Sequence, residues 1–266
     1  MKQLYDSTFP LPPYFNFRFS NGPIWIEYIP TTELIDYAYG GAVVNQSASG
    51  NGPPSLMGQI NDYLISNHFD LENVAPETLY IFWGGSNDVL SALATDPNGT
   101  FFETALLVVG ASLPQLIASQ IGKLTQAGAT NILVVLSPSL TYTPVISSWI
   151  SPDQGETLTQ FTKGLNQAIV SNVSAIATHG VNIMFSDLAR FTQNILQDPQ
   201  AYGLVNVTSP CLQNWEVFLY GIGGQEPILC SDPDEYLFWD GEHPTTKVQA
   251  IFAVEIMKSI GWPQNL

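Results

Sequence analysis

Three runs of unbroken apolar residues, each of strand length, limit what this chain can become. They are "TLYIFWGG" (78–85), "NILVVLSP" (131–138) and "VNIMFSD" (181–187). A strand with one wet face alternates apolar and polar residues. A run that is apolar throughout has both faces covered, as in a parallel sheet. Between the runs lie long segments with helical spacing, 101–127 and 155–179. Strand, helix, strand in this order predicts an α/β fold. Its mostly parallel central sheet would carry helices on both faces, in three α/β/α layers.

Weaker signals fill in the rest. "IDYAYGGA" (35–42) reads as a short strand closed by a glycine turn. "SLMGQINDYLISN" (55–67) repeats Leu56, Ile60, Tyr63 and Leu64 at helical spacing. Ser20 is expected to cap a short helix with Pro23 in its first turn. "LARFTQNILQD" follows the third run as a helix, and residues 245–260 form the last one, capped by Thr245 or Thr246. Pro114 is a candidate kink. Residues 1–19 and 200–235 read as irregular. No repeat interrupts the pattern, so one domain over residues 1–266 is expected.

Composition excludes some functions. The 266 residues are 45% hydrophobic and 11% charged, enough for a sizeable core. Twenty-three acids face seven Lys and Arg, a net charge of −16. Such a surface repels nucleic acid and anionic membranes. No apolar run of about 18 residues offers a membrane span. Cys211 and Cys230 lack CxxC spacing and suit one disulfide. With N-x-Ser/Thr sequons at Asn45, Asn98, Asn172 and Asn206, they point to a secreted, extracellular glycoprotein. "MKQLYDSTFPLPPYF" shows no signal peptide, so a removed leader or a shortened start is expected. No HExxH, EF-hand, GxGxxG or P-loop pattern occurs, and no metal or other cofactor is expected.

The chemistry is sought at the carboxyl ends of the strands, where parallel sheets place their sites. Of three histidines, His68 and His179 lie at helix ends and read as surface residues. His243 has Asp240 three residues before it, in "DGEHP". A carboxylate at that spacing can hold one imidazole nitrogen and leave the other as a base. Alone, the pattern is more often an acidic turn before a helix. Asn87 in "GGSND" can donate to an oxyanion, although these residues also favour plain turns. Gly40 and Gly41 offer backbone N–H groups, and Asp88 is a further acid or a cap. Glu33, Asp36, Asp232, Asp234 and Glu242 allow a rival carboxylate-pair reading. Trp83 and Trp239 are core residues or stacking surfaces.

Taken in order, these blocks resemble the SGNH, or GDSL-type, esterase and lipase family, in its secreted fungal and plant-type members. "FRFSNGPIWIEYI" is similar to the family's "GRFSNGPVW", with Phe17 where the family often has Gly. "YAYGGA" resembles its second block, with Asp36 in place of a frequent Asn. "FWGGSND" resembles the third, and "PDEYLFWDGEHPTT" the fifth. The resemblance implies a carboxylic ester hydrolase working through a Ser-His-Asp mechanism. Asp240 would orient, His243 would act as base, and Gly41 and Asn87 would form the oxyanion hole. Small-molecule, polysaccharide or lipid esters would be substrates, acted on by a monomer. One element is lacking: no Gly-Asp-Ser occurs. The family's first strand and its serine fall just before "LYDSTFPLPPYFN", so a truncated chain without them is expected. Ser7 lacks the strand that would present it, and Ser86 adjoins an oxyanion donor, so no nucleophile is identified. An inactive member that keeps a carbohydrate- or lipid-binding pocket is the alternative.

Overall fold

The computed structural model describes residues 9–45, 52–70, 74–75, 77–95, 101–221 and 225–262. Its elements begin with α1 (Leu56–Ser66), β1 (Leu79–Phe82), α2 (Ser86–Ala94), α3 (Phe102–Gln126) and β2 (Asn131–Val135). Then come α4 (Pro144–Trp149), α5 (Pro152–Ala175), β3 (Asn182–Ser186), α6 (Leu188–Gln197) and β4 (Asn206–Pro210). Last are β5 (Leu212–Gln213), α7 (Glu216–Tyr220), β6 (Ile228–Leu229), β7 (Tyr236–Phe238) and α8 (Thr246–Ser259). The fold is α/β with parallel sheets, as the apolar runs imply. Two compact units divide the chain: residues 1–35, 140–151 and 188–266 form one, and residues 36–139 and 152–187 the other.

The second unit holds the three apolar runs as a parallel sheet in the order β1-β2-β3. Tyr80 pairs with Ile132, and Leu133 with Met184. The central strand β2 is buried from Ile132 to Val135, which explains why its sequence shows no alternation. Helix α3 packs on α5 and α2. Its Leu106, Leu113, Ile117 and Ile121 and the Leu158, Leu165, Ile169 and Val173 of α5 form apolar stripes at helical spacing. Among the described residues α3 alone is long and apolar enough to cross a bilayer by length and composition. Leu113, Ile117 and Ile121 are at most 1% exposed, as in the core helix of a folded unit. It runs unbroken through the buried Pro114.

The first unit pairs β4 with β7 in parallel and β5 with β6 antiparallel. The Cys211–Cys230 disulfide joins residues 19 apart, as the cysteine spacing predicts. Residues 200–235, expected to be irregular, carry β4, β5, β6 and α7. Helix α8 packs against α6 and a 3-10 turn at Trp25–Tyr28.

Several local expectations fail, each because a distant or competing partner wins. Residues 35–42 form no strand; the Asp36 carboxylate accepts the Ala38 N–H and turns the chain instead. Ser20 is not a cap, since its hydroxyl donates to the Pro244 carbonyl. Thr245 precedes α8, but its hydroxyl goes to the Tyr236 carbonyl. The Thr246 N–H at the start of α8 is capped by Asn21 Oδ1 at 2.8 Å. Helix α2 starts at Ser86, so Asp88 lies inside its first turn and is not its cap. Ser55, by contrast, does cap α1, accepting from Gly58.

Candidate active site

Strand β7 ends in the core, with Leu237, Phe238 and Trp239 all buried. The next residue, Asp240, is fully buried. A buried carboxylate must be compensated, and the turn that follows does so. Oδ1 accepts the Glu242 N–H at 2.8 Å and the His243 N–H at 2.7 Å. His243 Nδ1 lies 2.9 Å from Oδ2 and 3.0 Å from Oδ1. The Tyr14 hydroxyl donates to Oδ2 at 2.8 Å. The Trp239 N–H closes the turn onto the His243 carbonyl at 2.7 Å. Gly241 is required here by space: a Cβ would collide with the Trp215 indole.

A carboxylate only accepts, so the Nδ1 it holds carries the proton and Nε2 of the neutral ring keeps a lone pair. Burial pushes the Asp240 carboxyl up. The charge and hydrogen bond of His243, with the two backbone N–H groups, outweigh it and hold the pKa below the carboxylate range. Burial pushes His243 down. The charge and hydrogen bond of Asp240, with the charge of Glu242, outweigh it and raise the imidazole above its ordinary value. Phe19 stacks on the imidazole with centroids 4.8 Å apart and planes 26° apart.

The segment containing Tyr14 and Phe19 braces this turn. Besides the Ser20 and Asn21 bonds, the Thr246 hydroxyl donates to the Pro23 carbonyl and the Trp25 N–H to Gln249 Oε1. Arg18 grips the Glu27 carboxylate with two nitrogens, at 2.7 and 3.0 Å. Phe17, at the family's glycine position, has φ 62°, and Asn16 has φ 41°. Glycine takes that left-handed region without strain.

The second unit carries the other predicted residues and brings them together. Gly41 turns the chain at φ 79°. A Cβ there would meet only ordinary contact, so the backbone angle and not space favours glycine. The Asn87 amide donates to the Ala42 carbonyl at 3.0 Å, and the Val44 N–H donates to the Asp88 carboxylate at 3.0 Å. The first turn of α2 thus holds the glycine turn in place. Asp88, a possible acid from sequence, spends its oxygens on this bond. Burial pushes its carboxyl up against that bond.

His68 and His179 are exposed. Among the described residues no group of His, Cys, Asp and Glu could hold a metal, and no serine hydroxyl bonds the His243 ring. Ser7 lies outside the described residues. Trp239 is core, 2% exposed. Trp83 is half-buried, its Nε1 donating to Ser137 Oγ at 3.0 Å. Sequence reasoning missed Tyr14, Phe19 and Asn21. The "FSN" of the resemblance block was the available signal, but it does not say what those side chains meet.

The chain is 24% identical over 262 residues to the thermolabile hemolysin of Vibrio parahaemolyticus, a match covering 94% of this chain and 58% of that protein. It is 25% identical over 280 residues to a phosphatidylcholine-sterol acyltransferase of Aeromonas hydrophila, covering 90% of this chain and 79% of that one. An Arabidopsis thaliana GDSL esterase/lipase is 35% identical over 81 residues, 30% of this chain and 23% of the plant protein. The chain thus spans little more than half the length of the hemolysin it matches. The profile of GDSL-like lipases and acylhydrolases matches residues 12–256, so the chain belongs to that family.

Proposed function

We propose that this chain carries the base and orienting acid of an extracellular carboxylic ester hydrolase using a Ser-His-Asp mechanism. The observation that carries this reading is the fully buried Asp240 bonded to His243 Nδ1. A serine hydroxyl attacks the ester carbonyl and gives its proton to Nε2 of His243. Asp240 stabilises the imidazolium. The Gly41 N–H and the Asn87 amide donate to the oxyanion; an amide nitrogen carries two N–H groups, and Ala42 takes one. His243 returns the proton to the leaving alcohol, and water repeats the sequence on the acyl-serine. Short acyl or lipid esters are the substrate class. Residues 1–266 act as one domain and as a monomer. The Cys211–Cys230 disulfide supports an oxidising compartment.

The test is hydrolysis of a short p-nitrophenyl ester by the purified chain, beside His243→Ala, with a fluorophosphonate to label an activated serine. Hydrolysis and labelling that both require His243 support the reading, and the labelled peptide identifies the nucleophile. A folded chain with neither would make it a family member that keeps the dyad without catalysis.

A further inference from the structure

We propose that Tyr14 is a positioning residue for the Asp240–His243 dyad, acting through the carboxylate. This rests on the function proposed above. Asp240 Oδ1 is held by two backbone N–H groups of its own turn. Those bonds fix one oxygen and leave the carboxylate able to swing about it. Tyr14 fixes the other: its hydroxyl reaches Oδ2 at 2.8 Å from 226 residues away in sequence. With both oxygens held, the carboxylate plane faces Nδ1 at 2.9 and 3.0 Å.

Tyr14 is itself fixed. It is 3% exposed, and its ring packs edge-on against Trp239 and Phe19, each 6.3 Å away between centroids. Phe19 in turn stacks on His243. One short segment therefore holds the acid by a hydrogen bond and the base by a ring face. Among the described residues, the ionisable groups that shift His243 are Asp240 and Glu242, both in its own turn. Tyr14 adds a hydroxyl donor, which directs the carboxylate without competing with the imidazole for it as a cation would.

Tyr14→Phe removes the hydroxyl and keeps the ring. The measurement is exchange of the His243 Nδ1 proton with water, followed by NMR at neutral pH, with backbone amide exchange in the same samples. A hydrogen bond to an ionised group is strong enough that its loss accelerates exchange about tenfold or more. That acceleration is expected with Leu133 and Ile169 amides unchanged. An unchanged or slower Nδ1 exchange in the folded variant overturns the proposal. Should the variant not fold, the unaltered chain decides. The Tyr14 Cζ resonance must move with the His243 titration, and a flat Cζ overturns the proposal. Neither readout needs turnover, so failure of the hydrolase reading would show separately, as absent ester hydrolysis.

Discussion

The turn bearing Asp240 and His243 and the turn bearing Gly41 and Asn87 are built on opposite principles. Four donors converge on the Asp240 carboxylate, one of them from the far end of the chain. From its adjoining helix the glycine turn takes one amide bond and one carboxylate bond, beside its own backbone bond from the Ala42 N–H to the Tyr39 carbonyl. The difference follows from charge. A buried carboxylate without partners costs far more than a buried amide without one. The acid must be over-fixed to exist at all, while a neutral donor needs only orientation.

The largest test of that contrast is Asp240→Asn against Asn87→Ala. An asparagine cannot accept at both ends, so a buried backbone N–H or the Tyr14 hydroxyl loses its acceptor. We expect ester hydrolysis to fall about 10⁴-fold and stability by about 3 kcal/mol. Asn87→Ala should lower kcat about 10²-fold or more yet cost only about 1 kcal/mol. Urea unfolding beside the p-nitrophenyl assay measures both. Equal stability losses would break the contrast.

Reducing Cys211–Cys230 comes next. The bridge closes a loop between residues 19 apart and should contribute about 3 kcal/mol. The Leu212 N–H bonds to the Trp239 carbonyl, one residue before Asp240. Hydrogen exchange after reduction should therefore quicken at Leu212 and Trp239 but not at Leu133. A uniform change would deny that the disulfide braces the dyad turn.

The pH dependence is smaller and has a definite sign. His243, raised when folded, contributes stability in full below the ordinary histidine value and loses it as pH rises through its folded value. Asp240, lowered when folded, contributes above the ordinary carboxylate value and loses it as pH falls through its folded value. The stability gap between the chain and His243→Ala should be widest between about pH 4 and 6.5. With His243 as the proposed base, hydrolysis would need it neutral, so the rising limb should lie above the ordinary histidine value. A gap independent of pH would contradict the pairing. The smallest effect expected is Phe17→Gly, which relieves a left-handed φ of 62° and should stabilise by about 1 kcal/mol. A rise in Tm of a few degrees would register it.

What the sequence revealed and what it hid follow one physical line. β2 and the long helices were legible because burial writes a local period into the chain. The dyad was legible because Asp240 and His243 share a four-residue turn. The caps were not. The Ser20, Thr245 and Asn21 side chains are each suited to a local cap, and in each case tertiary packing redirects them. Tyr14 was illegible for the same reason, since no local pattern marks a tyrosine whose partner lies 226 residues on. Residues 35–42 misled because short aromatic runs resemble strands when no pairing partner is known.

The separation of Tyr14 from Asp240, and of Asn21 from Thr246, has a consequence for how the molecule is made. A ribosome releases the brace before its counterpart, with the three strands and long helices between them emerging in the interval. The sheet of the second unit can pair while synthesis continues. The dyad turn waits until residues 240–246 are free to close a loop of more than two hundred residues. The dyad turn is therefore completed after the sheet has had time to form. A nascent chain stopped before Asp240 would keep a folded sheet while Tyr14 and Asn21 lacked the partners that fix them.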